Sequence, residues 1–162
     1  NKLNIKNDMK VLDIGCGWGG LSLQIAKDTG AQVKGITLSK NQLAIAQKRA
    51  QEEGLNEKVH FALQDYRLEN NKYDRIVSVG MFEHVGINYY PTFFSKTYEL
   101  LKETGVFLLH TIGQTTKPTP TSPWIRKYIF PGGYIPSLSE ILKPCENNNV
   151  CFLFKLGLIC LL

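Results

Sequence analysis

Three glycines spaced two apart, Gly15, Gly17 and Gly19, follow the run Val11-Leu12-Asp13-Ile14 and enclose Cys16 and Trp18. Glycine takes the positive-φ turns that bring a backbone close to a ligand, so such a loop presents amide N–H groups. A helix expected through Leu21, Leu23, Ile25 and Ala26 adds its unpaired N–H groups and positive dipole end. The chemistry is the holding of a nucleotide-type ligand. At the next strand end, many nucleotide-binding folds carry an acidic residue for the ribose hydroxyls. Here Thr37-Leu38-Ser39-Lys40-Asn41-Gln42 offers a hydroxyl and an amide but no carboxylate, which speaks against a nicotinamide dinucleotide. Asp65, followed by Tyr66 and Arg67, offers an acceptor for an adenine amine beside an aromatic wall; a loop cap is the alternative reading. Glu83 and His110 are the titratable candidates at expected strand ends on the side where the glycine loop opens. Glu83 and His84 also read as plain loop residues, and His110 as a hydrogen-bonded core histidine.

These groups punctuate a repeated strand–helix pattern. After the strand ending at Ile14, strands are expected at Gln32–Thr37, Val59–Leu63, Tyr73–Val79 and Val106–Thr111. Ser39-Lys40-Asn41-Gln42 has the S-x-x-Q form of a capping box, opening a helix through Leu43, Ala46 and Ala50 to Glu53, which Gly54 stops. A further helix is expected around Tyr89–Leu101. The alternation predicts an α/β fold with a doubly wound, mostly parallel sheet and right-handed crossovers. Ligands then sit above the carboxyl ends of the strands, away from His60, which reads as structural. From Gln114 the character changes: Pro118, Pro120, Pro123, Pro131 and Pro136 alternate with Trp124, Tyr128, Phe130 and Tyr134. The expected organisation is a Rossmann-like core over 1–113, a Pro- and aromatic-rich substrate-side insertion over 114–142, and a divergent tail over 143–162 of no assigned structure.

At 162 residues and 43% hydrophobic content the chain suits one globular domain with a real core. Its net charge of +5 favours anionic partners such as a phospholipid surface, but no block of like charge reads as a nucleic-acid arm. Cys16, Cys145, Cys151 and Cys160 form no C-x-x-C pair, which argues against a metal site. The apolar run Val150–Leu162 is too short to span a bilayer and contains Lys155, so no transmembrane segment is expected. No secretory signal is visible and the chain opens on Asn1, which suggests a cytoplasmic fragment.

The spacing Asp13-x-Gly15-x-Gly17-x-Gly19 resembles the first motif of class I S-adenosylmethionine (AdoMet)-dependent methyltransferases. Further motifs follow in order: Gly35-Ile36-Thr37-Leu38-Ser39 with Gln42, Asp65-Tyr66-Arg67, Tyr73 through Gly86, Phe107 through Gly113, and Trp124-Ile125 through Gly133. Together they resemble the cyclopropane-fatty-acyl-phospholipid synthases and the related mycolic acid methyltransferases, over about residues 8–142. Met81–Gly86 and Leu108–Gly113 are the motifs specific to that group.

The resemblance implies transfer of a methylene from AdoMet across a cis double bond of an unsaturated phospholipid acyl chain. It assigns cofactor binding to Val11, Leu12, Asp13, Ile14, Gly15, Cys16, Gly17, Trp18 and Gly19, to Thr37, Leu38, Ser39, Lys40, Asn41 and Gln42, and to Tyr66 and Arg67, beside Asp65. The family also holds bicarbonate, and Glu83, His110 and the backbone of Ile112 match three of its ligands. Two more, a cysteine upstream of the first motif and a tyrosine downstream of Pro131-Gly132-Gly133, have no counterpart, so truncation at both ends is expected. An alkene is a poor nucleophile, and positioning a sulfonium methyl in line with it contributes on the order of 7–11 kcal/mol in the best cases. Ring closure then needs a base, the role implied for bicarbonate between Glu83 and His110. Phe82, Tyr89, Tyr90, Tyr128 and Phe130 are cavity candidates whose π-faces favour a cation, with core packing as the alternative. Trp124, Arg126, Lys127 and Tyr128 suit contact with the inner membrane face, where the protein is expected to be peripheral. A second copy of the chain is left open as a partner. Two other readings stand beside this one: a small-molecule N-methyltransferase of the same superfamily, and an inactive remnant that only binds AdoMet or lipid.

Overall fold

A computed structural model describes residues 2–129 and 131–146. Phe130, Asn147 to Asn149 and the run Val150–Leu162, with Cys151 and Cys160, lie outside the described residues. The chain packs as two compact units. The first takes residues up to 79 with 99–109; the second takes 80–98 and those from 110 onward.

In the first unit, β1 (Lys10–Ile14), β2 (Gln32–Thr37), β3 (Val59–Leu63), β4 (Tyr73–Val79) and β5 (Leu101–His110) form one sheet in the order β3-β2-β1-β4-β5. The pairs β1–β2, β1–β4 and β2–β3 are parallel, with Ile14 opposite Ile36 and Thr37 opposite Leu63. Strands covered on both faces carry continuous apolar runs, and Val11, Leu12, Ile14, Val33, Ile36, Ile76 and Val77 are all buried. The doubly wound α/β expectation holds, and three of the five strands fall on their expected bounds. β5 differs: it starts at Leu101 and ends at His110, because its polar opening Lys102-Glu103-Thr104 is exposed and carries no apolar signal.

Helix α1 (Gly20–Thr29) starts from Gly19 and ends at Gly30, both left-handed. Its inner face is Ser22, Leu23, Ile25 and Ala26, while Leu21 is exposed. Ser22 takes the inward place because its hydroxyl donates to buried Asp13 at 2.7 Å. Helix α2 (Lys40–Glu52) buries Ala46 and Ala50, small residues that admit the glycine loop closely. Ser39 caps α2 by accepting from Gln42 N–H at 3.3 Å. The return arm of a capping box is replaced: Gln42 Oε1 accepts from the Thr37 hydroxyl, which in turn accepts from Ser39 N–H. Buried Glu69 ties the β3–β4 connection to β2, accepting from Lys34 at 2.5 Å and from the N–H groups of Asn70 and Asn71.

The second unit opens with two 3-10 turns, Phe82–His84 and Ile87–Tyr89, followed by α3 (Tyr90–Leu100). Pro91 sits in the first turn of α3, where a missing N–H costs nothing. Phe82, Tyr90, Phe93 and Phe94 form an aromatic nucleus: Phe82 stacks on Tyr90 with ring centroids 4.2 Å apart, and Phe93 and Phe94 lie tilted against Phe82. Farther on, Ile125–Ile129 forms a π-helical turn and α4 (Leu138–Glu146) closes the described chain. Gln114 bridges Ser137, so the insertion returns to its own start. Helix α4 crosses the expected boundary at 142/143. Its signal is present in the S-x-x-E run Ser137-Leu138-Ser139-Glu140, of which the return arm forms: Glu140 Oε2 accepts from both Ser137 N–H and the Ser137 hydroxyl, while Glu140 N–H donates to the Ser137 carbonyl.

Candidate functional site

The candidate cofactor residues of the first unit lie at the carboxyl ends of three adjacent parallel strands: Gly15–Gly19 after β1, Thr37–Gln42 after β2 and Asp65–Arg67 after β3. The loop is bound to its neighbour, since Gly15 and Cys16 N–H both donate to Ile36 O at 3.0 Å. Gly15, Gly17 and Gly19 all have positive φ, yet they serve different ends. A Cβ on Gly19 would lie 2.6 Å from Phe61 Cζ and 2.9 Å from Ala46 Cβ, so this glycine lets α1 and α2 close on the sheet. A Cβ on Gly17 would meet nothing within 4 Å; that backbone faces open space. The side chains of Val11, Leu12 and Ile14 are sealed in the core, while Trp18, Leu38 and Lys40 to Gln42 lie at or near the surface.

Burial shapes the electrostatics here. Asp13 is pushed up to about 6 by burial, against the lowering effect of the Ser22 hydrogen bond. Burial and the Asp13 charge push the Cys16 thiol up to about 12. Asp65 both caps the turn Tyr66–Leu68 through Arg67 N–H and pairs with the Arg67 guanidinium at 2.6 Å, which holds its carboxyl below the usual range. The loop-cap alternative thus describes what Asp65 does within the chain, and Tyr66 stands beside it partly buried.

In the second unit, Glu83 is 1% exposed. Its Oε1 accepts from the Thr111 hydroxyl at 2.8 Å and from Ile112 N–H at 2.6 Å, and its backbone carbonyl accepts from Tyr134 N–H at 2.9 Å. The Ile112 N–H is therefore committed to Glu83, while its carbonyl lies 3.4 Å from the Thr111 hydroxyl as a second acceptor for it. Glu83 Oε2 is buried without a hydrogen-bond partner, and the only other such side-chain atom among the described residues is the Tyr90 hydroxyl. A plain loop residue does not bury a half-satisfied carboxylate. His110 is exposed at the end of β5, with its carbonyl accepting from Gly80 N–H, so the core-histidine reading fails. His60, expected to be structural, is exposed on β3.

The aromatic candidates do not form one cavity wall. Phe82 and Tyr90 spend their faces on each other in the core, whereas Tyr89 and Tyr128 are exposed. Sequence reasoning missed Ser22, Thr111 and Tyr134 as the groups that hold Asp13 and Glu83. A buried carboxylate demands donors, but spacing alone does not say which hydroxyls supply them.

The family model described as mycolic acid cyclopropane synthetase matches residues 1–154. Cyclopropane-fatty-acyl-phospholipid synthase of Escherichia coli is 50% identical over 149 residues, covering 92% of this chain and 38% of that protein. The solved cyclopropane synthase MmaA2 of Mycobacterium tuberculosis superposes with a TM-score of 0.82 at 34% identity, over 91% of this chain and 56% of that one. Mycolic acid cyclopropane synthase CmaA1, solved in complex with SAH and CTAB, gives a TM-score of 0.81 at 34% identity with the same coverage. The chain thus spans between 38% and 56% of the length of these relatives.

Proposed function

The chain belongs to the mycolic acid cyclopropane synthetase family, and on that premise we propose that it carries the donor site and reacting groups of a lipid cyclopropane synthase. The reaction is methylene transfer from AdoMet to the cis double bond of an unsaturated phospholipid acyl chain. The observation that carries this reading is Glu83, a buried carboxylate fixed through one oxygen and open through the other.

Bound AdoMet supplies the electrophilic methyl that an alkene needs, and bicarbonate supplies the base for the proton lost on ring closure. The chain's residues fit both groups. The amide backbone at Gly17 faces open space, and Thr37 with Gln42 braces the strand end beside the loop. Thr111 and Ile112 prevent Glu83 from turning, so Oε2 keeps one fixed direction in which to accept a hydroxyl hydrogen. His110, exposed and without a ring partner among the described residues, can donate to an anion's oxygen.

A peripheral position at the inner membrane face fits the exposed rings of Trp124 and Tyr128 and the cations Arg126 and Lys127, the latter 5.0 Å over the Tyr128 ring. Among the described residues no helix is long and apolar enough to cross a membrane. The test is incubation of the full-length protein with methyl-labelled AdoMet and vesicles of unsaturated phospholipid. Label should appear in a cyclopropane carbon. Label confined to a polar amine would support an N-methyltransferase instead, and AdoMet-linked stabilisation without any product would support a binding remnant.

A further inference from the structure

Tyr90 begins α3 and is 1% exposed, yet its hydroxyl has no hydrogen-bond partner. The phenol is locked in place by stacking on Phe82, the residue that precedes Glu83 in the same 3-10 turn. Neighbouring hydroxyls are spent: Thr111 donates to Glu83, and Tyr134 and Ser137 donate to Glu140. Burial, reinforced by the charges of Glu140, Tyr134 and Glu83, keeps the Tyr90 phenol protonated, hence a donor. Glu83 Oε2 can only accept. Among the described residues of the second unit, one buried side-chain donor and one buried acceptor are thus left unspent, and a single guest bearing both an oxyanion and a hydroxyl satisfies them together.

We propose that Tyr90 is a further ligand of the small hydroxylic anion, its hydroxyl donating to the anion's oxygen while Glu83 Oε2 accepts the anion's own hydroxyl. This rests on the bicarbonate reading above and adds a residue to it. It also gives the anion a defined orientation, since the Tyr90 hydroxyl binds only an acceptor edge and Glu83 binds only a donor.

The experiment compares the full-length protein with its Tyr90→Phe variant, measuring bicarbonate affinity by calorimetry without AdoMet, AdoMet affinity, and melting in bicarbonate-free buffer. The variant should bind bicarbonate at least roughly tenfold more weakly with AdoMet affinity unchanged. Bicarbonate affinity within twofold of the parent's overturns the proposal, including the case in which only the melting temperature moves, as expected of a bridging water. If the parent itself binds no bicarbonate, the anion reading fails and this inference fails with it; a responsive parent beside an equally responsive variant sinks this inference alone. Should Tyr90→Phe not fold, 3-fluorotyrosine placed at Tyr90 decides: its fluorine resonance must move on bicarbonate addition, and an unmoved signal refutes the contact.

Discussion

Two glycines in one loop should respond oppositely to the same added methyl. Gly17 and Gly19 both hold positive φ, at 54° and 80°, so alanine at either costs about 1–2 kcal/mol of backbone strain. At Gly19 the new Cβ must also fit 2.6 Å from Phe61 Cζ and 2.9 Å from Ala46 Cβ. Phe61 and Ala46 are themselves core residues and have nowhere to retreat. Overpacking of that kind adds about 1–3 kcal/mol, giving about 2–5 in total for Gly19→Ala. Gly17→Ala has no such clash and should stay near the backbone figure, about 1–2 kcal/mol. Its methyl instead fills the space in front of the loop, so it should erase most of the melting shift that AdoMet produces. Urea denaturation of the full-length variants measures the first difference, and melting with and without AdoMet measures the second. Equal destabilisation by the two substitutions, or parent-like AdoMet affinity in Gly17→Ala, would refute the division of labour between packing and binding.

Two other outcomes follow from the same coordinates. Asp13 is held at about 6 against an ordinary 3.8, so the native state binds its proton more tightly than the unfolded chain. Its contribution to stability is therefore full below about pH 4 and lost as pH rises through about 6, by about 3 kcal/mol in all. Asp13→Asn should remove that loss, and its stability relative to the parent should climb between pH 4 and pH 7; a pH-independent difference in urea midpoints would contradict it. Reversing charge and removing the ring at the π-helical turn, with Trp124→Ala and Lys127→Glu together, should weaken binding to anionic vesicles by roughly tenfold or more. Sedimentation of vesicles checks this, and undiminished binding excludes that turn as the lipid contact.

Much of the frame was legible because its signals are local. Gln32–Thr37, Val59–Leu63 and Tyr73–Val79 are apolar runs bounded by turn residues, and parallel strands buried on both faces leave that trace. The inward place of Ser22 on α1 carries no apolar signal, because it is set by Asp13, which in the core needs a donor. The start of β5 was hidden by its charged opening, and α4 by Pro144 within it, although the Ser137–Glu140 run announced the helix. At the candidate site, residue type pointed to Glu83 and His110, but not to the commitment of the Ile112 amide or to the two unspent oxygens. Those depend on which hydrogen bonds win in three dimensions, a competition that no spacing in the chain records.

The Cys16 thiol has a consequence for the chemistry around it. On the proposed reading, a thiolate in this loop would compete for the donor's methyl group. With the thiol pushed up to about 12, it stays protonated at neutral pH. The sulfur of the glycine loop is thereby kept a poor nucleophile chiefly by its burial in the core, with the Asp13 charge adding to the effect.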